Sequence, residues 1–249
     1  MMLLEIENLM KAFGGFQATD GVSLSVERGS LRSLIGPNGA GKTTLFNQIT
    51  GYLVPDSGRI VFRGEEITGL HPYQISRKGI TRAFQIINIF PRLTVMESVQ
   101  LAILAKRGKT LKCFAPAKGM VREEAMAVLE TVGLAERAGA LARELSHGDQ
   151  RVLELALALA GEPDLLLLDE PMAGMSPFER VKVTELIQKV QQDRGLTVLF
   201  CEHDMDVVFG ISEKVTVLHQ GRVIAEGKPE DIKKNEEVHL VYLGQSWSI

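Results

Sequence analysis

The chain has 249 residues, of which 45% are hydrophobic and 24% charged, the ordinary balance of a soluble globular protein. Lys+Arg 28 against Asp+Glu 31 leaves a net charge of -3, which excludes a global basic field for nucleic acid or anionic lipid. Two cysteines, Cys113 and Cys201, exclude a disulfide framework and fit a reducing compartment.

The opening MMLLEIENLM has no basic region and carries Glu5 and Glu7, so it is a poor signal peptide. Leu3 to Leu9 alternates apolar and acidic residues. GVSLSVERGSLRSLIG holds two more short alternating runs on either side of Arg28-Gly29, and SGRIVFRGEEI repeats the pattern from Ser57 to Ile67. These read as antiparallel strands with one wet face. Leu31 to Ile35 feeds directly into GPNGAGKTT, and Thr43 to Thr50 continues with helical spacing.

From about Thr94 to Ala160 the chain is rich in Ala, Leu and Glu at 3.6-residue spacing, as in VREEAMAVLETVGL and RVLELALALA. Residues 106–120, basic and free of acids, read as an exposed loop, either a solvated one or a contact for lipid headgroups or a partner protein. Glu154, Glu162 and Asp164 interrupt the longest apolar candidate before it reaches the roughly 18 residues of a membrane span. In the last third, Leu165 to Leu168, Thr197 to Phe200 and Val215 to Leu218 are apolar runs separated by helical segments. Such runs predict parallel strands buried on both faces in a βαβ architecture. VTVLHQGRVIAEG predicts a hairpin turning at Gln220-Gly221.

GPNGAGKTT, spanning Gly36, Pro37, Asn38, Gly39, Ala40, Gly41, Lys42, Thr43 and Thr44, fits the P-loop pattern G-x-x-x-x-G-K-(S/T). Glycines let successive backbone N–H groups converge on an anion without Cβ clashes. Lys42 is placed to reach the β- and γ-phosphates and Thr43 to ligate Mg²⁺. The strand before and the helix after put a helix N-terminus against phosphate. At this chain's own residue frequencies about 0.01 chance matches are expected, so a merely glycine-rich turn is a poor explanation.

LLLLDEP, Leu165 to Pro171, describes a buried strand that delivers two carboxylates into the crevice where α/β proteins bind ligands. Asp169 suits an acid associated with Mg²⁺, and Glu170 a base that activates water for attack on the γ-phosphate. LSHGDQ, Leu145 to Gln150, opens a helix: Ser146 is an N-cap candidate, Asp149 favours a helix N-terminus, and Gly148 allows close backbone approach.

In chain order, GPNGAGKTT, the glutamine of RAFQ (Gln85), LSHGDQ, LLLLDEP and the histidine of CEHD (His203) resemble the ATP-binding cassette ATPases over essentially the whole chain. The resemblance implies an α/β fold: a RecA-like P-loop NTPase core with a mainly parallel sheet, an N-terminal antiparallel β-subdomain and an inserted helical subdomain. It implies one domain over 1–249, with 1–87 and 156–249 as nucleotide-binding core and 88–155 as the helical part carrying the signature LSHGDQ. It also implies roles. Phe13 of KAFGG stacks on adenine, Lys42, Thr43 and Thr44 hold phosphates and Mg²⁺, and Gln85 senses the γ-phosphate through Mg²⁺ and water. Glu170 is the general base, and His203 steadies the γ-phosphate and the attacking water. Two cassettes pair head to tail, so Ser146 and Gly148 of one cap the ATP held by the P-loop of the other. The signature departs from LSGGQ at His147 and Asp149. Where the common pattern ends in a cross-dimer aspartate, this chain has Ser176, which with Pro177 and Glu179 also makes a good helix start.

FGGFQATDGVSLSV, FNQITGYLVPDSGRI, RAFQIINIFPRLTVMESV, EPMAGMSP and VHLVYLG resemble the ATPase of branched-chain amino acid importers and, closely after it, of urea and short-amide importers. A lipopolysaccharide-exporter cassette is the alternative of similar size and motifs. The resemblance implies ATP and Mg²⁺ as ligands, a second ATPase subunit, two transmembrane permeases and a periplasmic or extracellular substrate-binding protein as partners, and no nucleic acid. It places the chain peripherally on the cytoplasmic face of the inner or plasma membrane.

Overall fold

The computed structural model describes residues 1–83, 89–108 and 121–242. The N-terminal alternation becomes a long hairpin, Met2–Phe13 (β1) and Phe16–Glu27 (β2), that turns through Gly14 and Gly15. Leu31–Ile35 (β3) runs into helix Lys42–Ile49 (α1), followed by strands Ser57–Phe62 (β4) and Glu65–Glu66 (β5). Helix Pro72–Lys78 (α2), strand Ile80–Ala83 (β6) and helices Val95–Lys106 (α3), Arg122–Val132 (α4) and His147–Ala160 (α5) come next. The last part alternates: Leu165–Asp169 (β7), Pro177–Arg194 (α6), Thr197–Cys201 (β8), Met205–Ile211 (α7), Lys214–His219 (β9) and Arg222–Gly227 (β10). Pro229–Ile232 (α8) and Glu236–Tyr242 (α9) close it.

Among the described residues the strands form two sheets. One is antiparallel with order β2-β1-β4-β5; the other has order β10-β9-β3-β8-β7-β6, parallel except for the final β9–β10 hairpin. The run after Gly29 departs from its expected place. Leu31–Ile35 does not turn back against β2 but pairs parallel with β8 and β9 in the second sheet. All five of its residues are buried. Arg32 contributes a 3% exposed side chain that reaches Glu226 at 3.3 Å instead of water.

Burial explains the apolar runs of the last third. Along β7 and β8, Leu166, Leu168, Val198 and Phe200 join a core built with α3, α4, α5 and α6. The alternate residues Leu165, Leu167, Leu199 and Cys201 face the other way, onto Leu45, Phe46 and Ile49 of α1 and the apolar side of the antiparallel sheet. A strand sandwiched between two apolar layers has no position left for a polar alternation. The first sheet has only one covered face, which is why its sequence alternates.

Helix starts follow their capping chemistry. Ser146 Oγ accepts from Asp149 N–H at 3.1 Å at the head of α5. At α6, Ser176 N–H donates to Glu179 Oε2 at 2.9 Å and Ser176 Oγ accepts from Glu179 N–H at 3.4 Å, a full capping box with Pro177 at the first helical position. Ser176→Ala should therefore lower stability by about 1 kcal/mol, read from the urea midpoint at unchanged slope. The expected hairpin turns at Gln220-Gly221, both with positive φ, 48 and 78, as a type I′ turn needs. No helix among the described residues is long and apolar enough to cross a membrane. Of the basic segment, Lys106 and Arg107 pair with Glu162 and Glu124; residues 109–120, Cys113 included, lie outside the described residues.

Candidate functional site

Strand order brings the C-terminal ends of β3, β8, β7 and β6 side by side along one edge of the parallel sheet. The loop after β3 is Gly36–Gly41. Gly41, just before helix α1, has φ 105, and a Cβ there would run into the Ala18 carbonyl oxygen. A Cβ on Gly36 would likewise strike the Leu218 carbonyl oxygen. The loop is gripped from the C-terminal side as well. Gly221 N–H donates to the Ala40 carbonyl at 2.9 Å. The buried Tyr242 of α9 approaches the Gly36 backbone, and burial pushes its phenol pKa up.

Lys42 is 8% exposed. Its Nζ donates to the Gly36 carbonyl at 2.6 Å and to the Pro37 carbonyl at 3.1 Å, so the ammonium is held at the mouth of the loop by the loop itself. Burial pulls its pKa below the ordinary lysine value, partly opposed by the neighbouring Cys201, Glu170 and Asp169. An anion seated in the loop would favour the charged form of this lysine.

Asp169 ends β7 and pairs across to Arg82 Nη2 at 2.5 Å, with both side chains 6% exposed. Arg82 Nη1 also donates to Asn47 Oδ1 of α1 at 2.6 Å, and its guanidinium lies 5.6 Å from the Phe46 ring centroid. One arginine from β6 thus ties the acid of β7 to the helix that follows the P-loop. The next residue, Glu170, adopts φ 50. Its N–H donates to the Cys201 carbonyl at 3.0 Å, and its Oε1 meets His203 Nε2 at 2.9 Å. A non-glycine residue held in the left-handed region is a feature of sites where the surroundings over-determine the backbone. Here it turns the carboxylate away from β7 toward the histidine that follows β8.

At the head of α5, Ser146 and His147 are exposed and Gly148 is buried. A Cβ on Gly148 would meet the Glu179 carboxylate, so this helix start packs closely on the start of α6. The Glu179 carboxyl lies below the usual carboxylate range because the Ser176 hydroxyl and N–H both donate to it. Phe13, at the β1–β2 turn, is 51% exposed, so it is not a core phenylalanine.

Residues 19–173, more than half of the chain, match the family model described as ABC transporter. The chain belongs to the ABC transporter ATP-binding family. Residues 222–247 of this cassette match a second model, described as branched-chain amino acid ATP-binding cassette transporter. The high-affinity branched-chain amino acid transport ATP-binding protein LivG of Salmonella typhimurium is 40% identical over 252 residues, 98% of each chain. The corresponding protein BraF of Pseudomonas aeruginosa is 41% identical over the same share of both. Among solved structures, the ADP conformation of MJ1267, an ATP-binding cassette of an ABC transporter, aligns with TM-score 0.88 at 33% identity over 98% of this chain and 100% of that chain.

In the cassette, the structure gathers Lys42, Asp169, Glu170 and His203 at one sheet edge. It sets Ser146 and Gly148 apart, at the head of α5. Gln85 lies outside the described residues; β6 before it ends at Ala83, paired with Leu168 one residue short of Asp169. Arg82 and Asn47 were not legible as site residues. RAFQ contains Arg82, but only the sheet order reveals that its partner is 87 residues away. Removing one member of a buried ion pair leaves the other charge uncompensated. Arg82→Ala should therefore cost about 3 kcal/mol or more, measured as a drop in denaturant midpoint.

Proposed function

We propose that this cassette is the ATP-hydrolysing subunit of an importer for branched-chain or other hydrophobic amino acids. The observation that carries the substrate class is the match of residues 222–247 to the branched-chain model, on a chain aligned end to end with LivG and BraF. The same match favours import of amino acids over the lipopolysaccharide-exporter alternative.

At the site, the backbone of Gly36 to Gly41 cradles the phosphates of ATP, with Lys42 on the β- and γ-phosphates. The closeness of Gly36 and Gly41 to Leu218 and Ala18 supports a loop shaped for backbone, not side-chain, contact. Among the described residues no cluster of three His, Cys, Asp or Glu side chains stands ready for a metal. Mg²⁺ takes waters and substrate phosphates as most of its ligands. Thr43, exposed at the start of α1, with Asp169 and Gln85 would hold it, and the ion supplies charge neutralisation across the phosphates. Glu170 takes the proton of the attacking water, and His203, 2.9 Å from it, steadies that water and the γ-phosphate. Thr44 adds a phosphate contact and Phe13 an adenine contact.

Two copies, or this chain and a related ATPase, pair head to tail so that Ser146 and Gly148 of each reach the nucleotide of the other. The exposure of Ser146 supports this reading. Residues 88–155 serve as a helical arm inserted between 1–87 and 156–249, and the mutual packing of α3, α4 and α5 supports it. Membrane permeases and a substrate-binding protein complete the transporter on the cytoplasmic face of the membrane. Co-expression with the two proposed permeases tests the assignment: the cassette should co-purify with them in detergent at one pair of cassettes per permease pair. Failure to associate with any permease would remove the transport reading.

A further inference from the structure

Glu202 sits between β8 and His203, and none of the roles above uses it. Its side chain belongs to a residue only 6% exposed. The carboxylate accepts one main-chain hydrogen bond from each of two loops: Met172 N–H to Oε1 at 3.0 Å and His203 N–H to Oε2 at 2.8 Å. A third, longer contact comes from Asp204 N–H to Oε2 at 3.5 Å.

Those loops carry the reacting groups. Met172 lies two residues beyond Glu170, and His203 is the residue whose ring meets Glu170. The β7–β8 ladder reaches only the pair Asp169 and Cys201. Past it, the Glu170 N–H to Cys201 carbonyl bond at 3.0 Å and the Glu202 carboxylate join the two chains. Glu170 also keeps a left-handed backbone, φ 50, which persists only when its surroundings enforce it. A carboxylate suits the task because it is acceptor-only at both oxygens. A glutamine in its place must turn an NH₂ toward one of the two N–H donors.

We infer that Glu202 is a positioning residue that clamps the loops after β7 and β8 and so sets the separation of the Glu170 carboxylate from the His203 imidazole. The inference rests on the proposed roles of Glu170 and His203. It assigns Glu202 no contact with nucleotide: its effect passes through the two residues it holds.

The test uses the full chain with Glu202→Gln and Glu202→Asp, reading Mg-ATP turnover, KM for Mg-ATP and ADP affinity. A displacement of reacting groups by about 1 Å can cost on the order of 100-fold in rate. Glu202→Gln should accordingly lower kcat by roughly 30-fold to 100-fold, with KM and ADP affinity unchanged within error. Glu202→Asp, still acceptor-only but one carbon shorter, should recover part of that loss. A glutamine variant as fast as wild type overturns the clamp, and so does a parallel loss of kcat and ADP affinity, which marks a merely structural role. If the glutamine variant does not fold, the aspartate variant decides alone: reduced kcat at intact ADP affinity supports the clamp, and full kcat or a parallel loss overturns it. A wild-type chain that binds ADP but turns over no ATP sinks the ATPase reading together with the clamp. Wild-type turnover beside an equally fast glutamine variant sinks the clamp alone.

Discussion

Replacing Lys42 with alanine should weaken nucleotide binding by about 100-fold or more while leaving the fold intact. The ammonium is buried at the mouth of the loop, where it already donates to the carbonyls of Gly36 and Pro37. A phosphate in that place offers stronger, charge-assisted bonds, each worth roughly 1.5–3 kcal/mol. Losing two of them weakens ATP by about 100-fold or more, readable by titrating a fluorescent nucleotide analogue. The direction of the lysine's pKa adds a second signature. Burial disfavours its charged form, so raising the pH removes the cation earlier than for an exposed lysine. Nucleotide affinity should therefore begin to fall at a pH below the ordinary lysine range, a decline absent from the alanine variant. Undiminished binding by Lys42→Ala would refute the P-loop assignment.

Glu170→Gln should separate binding from turnover. Glutamine matches the carboxylate in size and can still hydrogen-bond His203 Nε2, now 2.9 Å from Glu170 Oε1, but it accepts no proton from water. Loss of a positioned general base costs roughly 100-fold to 10,000-fold, so turnover in a phosphate-release assay should drop by that order while ATP affinity persists. ATP then remains bound long enough for the proposed head-to-tail pairs to accumulate. Size-exclusion chromatography in Mg-ATP should show a dimer for this variant, and a persistent monomer would count heavily against the general-base role.

Local chemistry made much of this site legible. The P-loop announces itself because its glycines, lysine and hydroxyl are contiguous, and the strand before it and helix after it are as expected. LLLLDEP is readable because a strand buried on both faces has to be apolar until it ends. Gln220-Gly221 is readable because a tight hairpin demands positive φ at both positions. Capping was legible too, since Ser146 and Ser176 bond within three residues of themselves. What escaped depends on distance in the chain. Alternation alone could not decide the sheet of Leu31–Ile35, because Arg32 mimics a residue of a wet face; the burial of Arg32 against Glu226 is a tertiary event. Arg82 with Asp169, Glu202 with Met172, and Tyr242 with Gly36 are likewise partners across the sheet edge. No spacing within RAFQ, CEHD or VHLVYLG encodes them.

The grip on the P-loop from Leu218, Gly221 and Tyr242 also ties two matched regions together. The loop lies within residues 19–173, matched by the general family model, whereas Gly221 and Tyr242 flank and fall within residues 222–247. Described residues of the branched-chain-type tail thus approach the loop proposed to hold phosphate.

The most direct measurement is uptake of labelled leucine into membrane vesicles that contain this cassette with the permeases and binding protein proposed for it, with Mg-ATP on the cassette side. Uptake should require ATP and should vanish with Glu170→Gln in the same membranes. Uptake that proceeds without ATP, or at the wild-type rate with Glu170→Gln, would contradict the assignment of this chain as the motor.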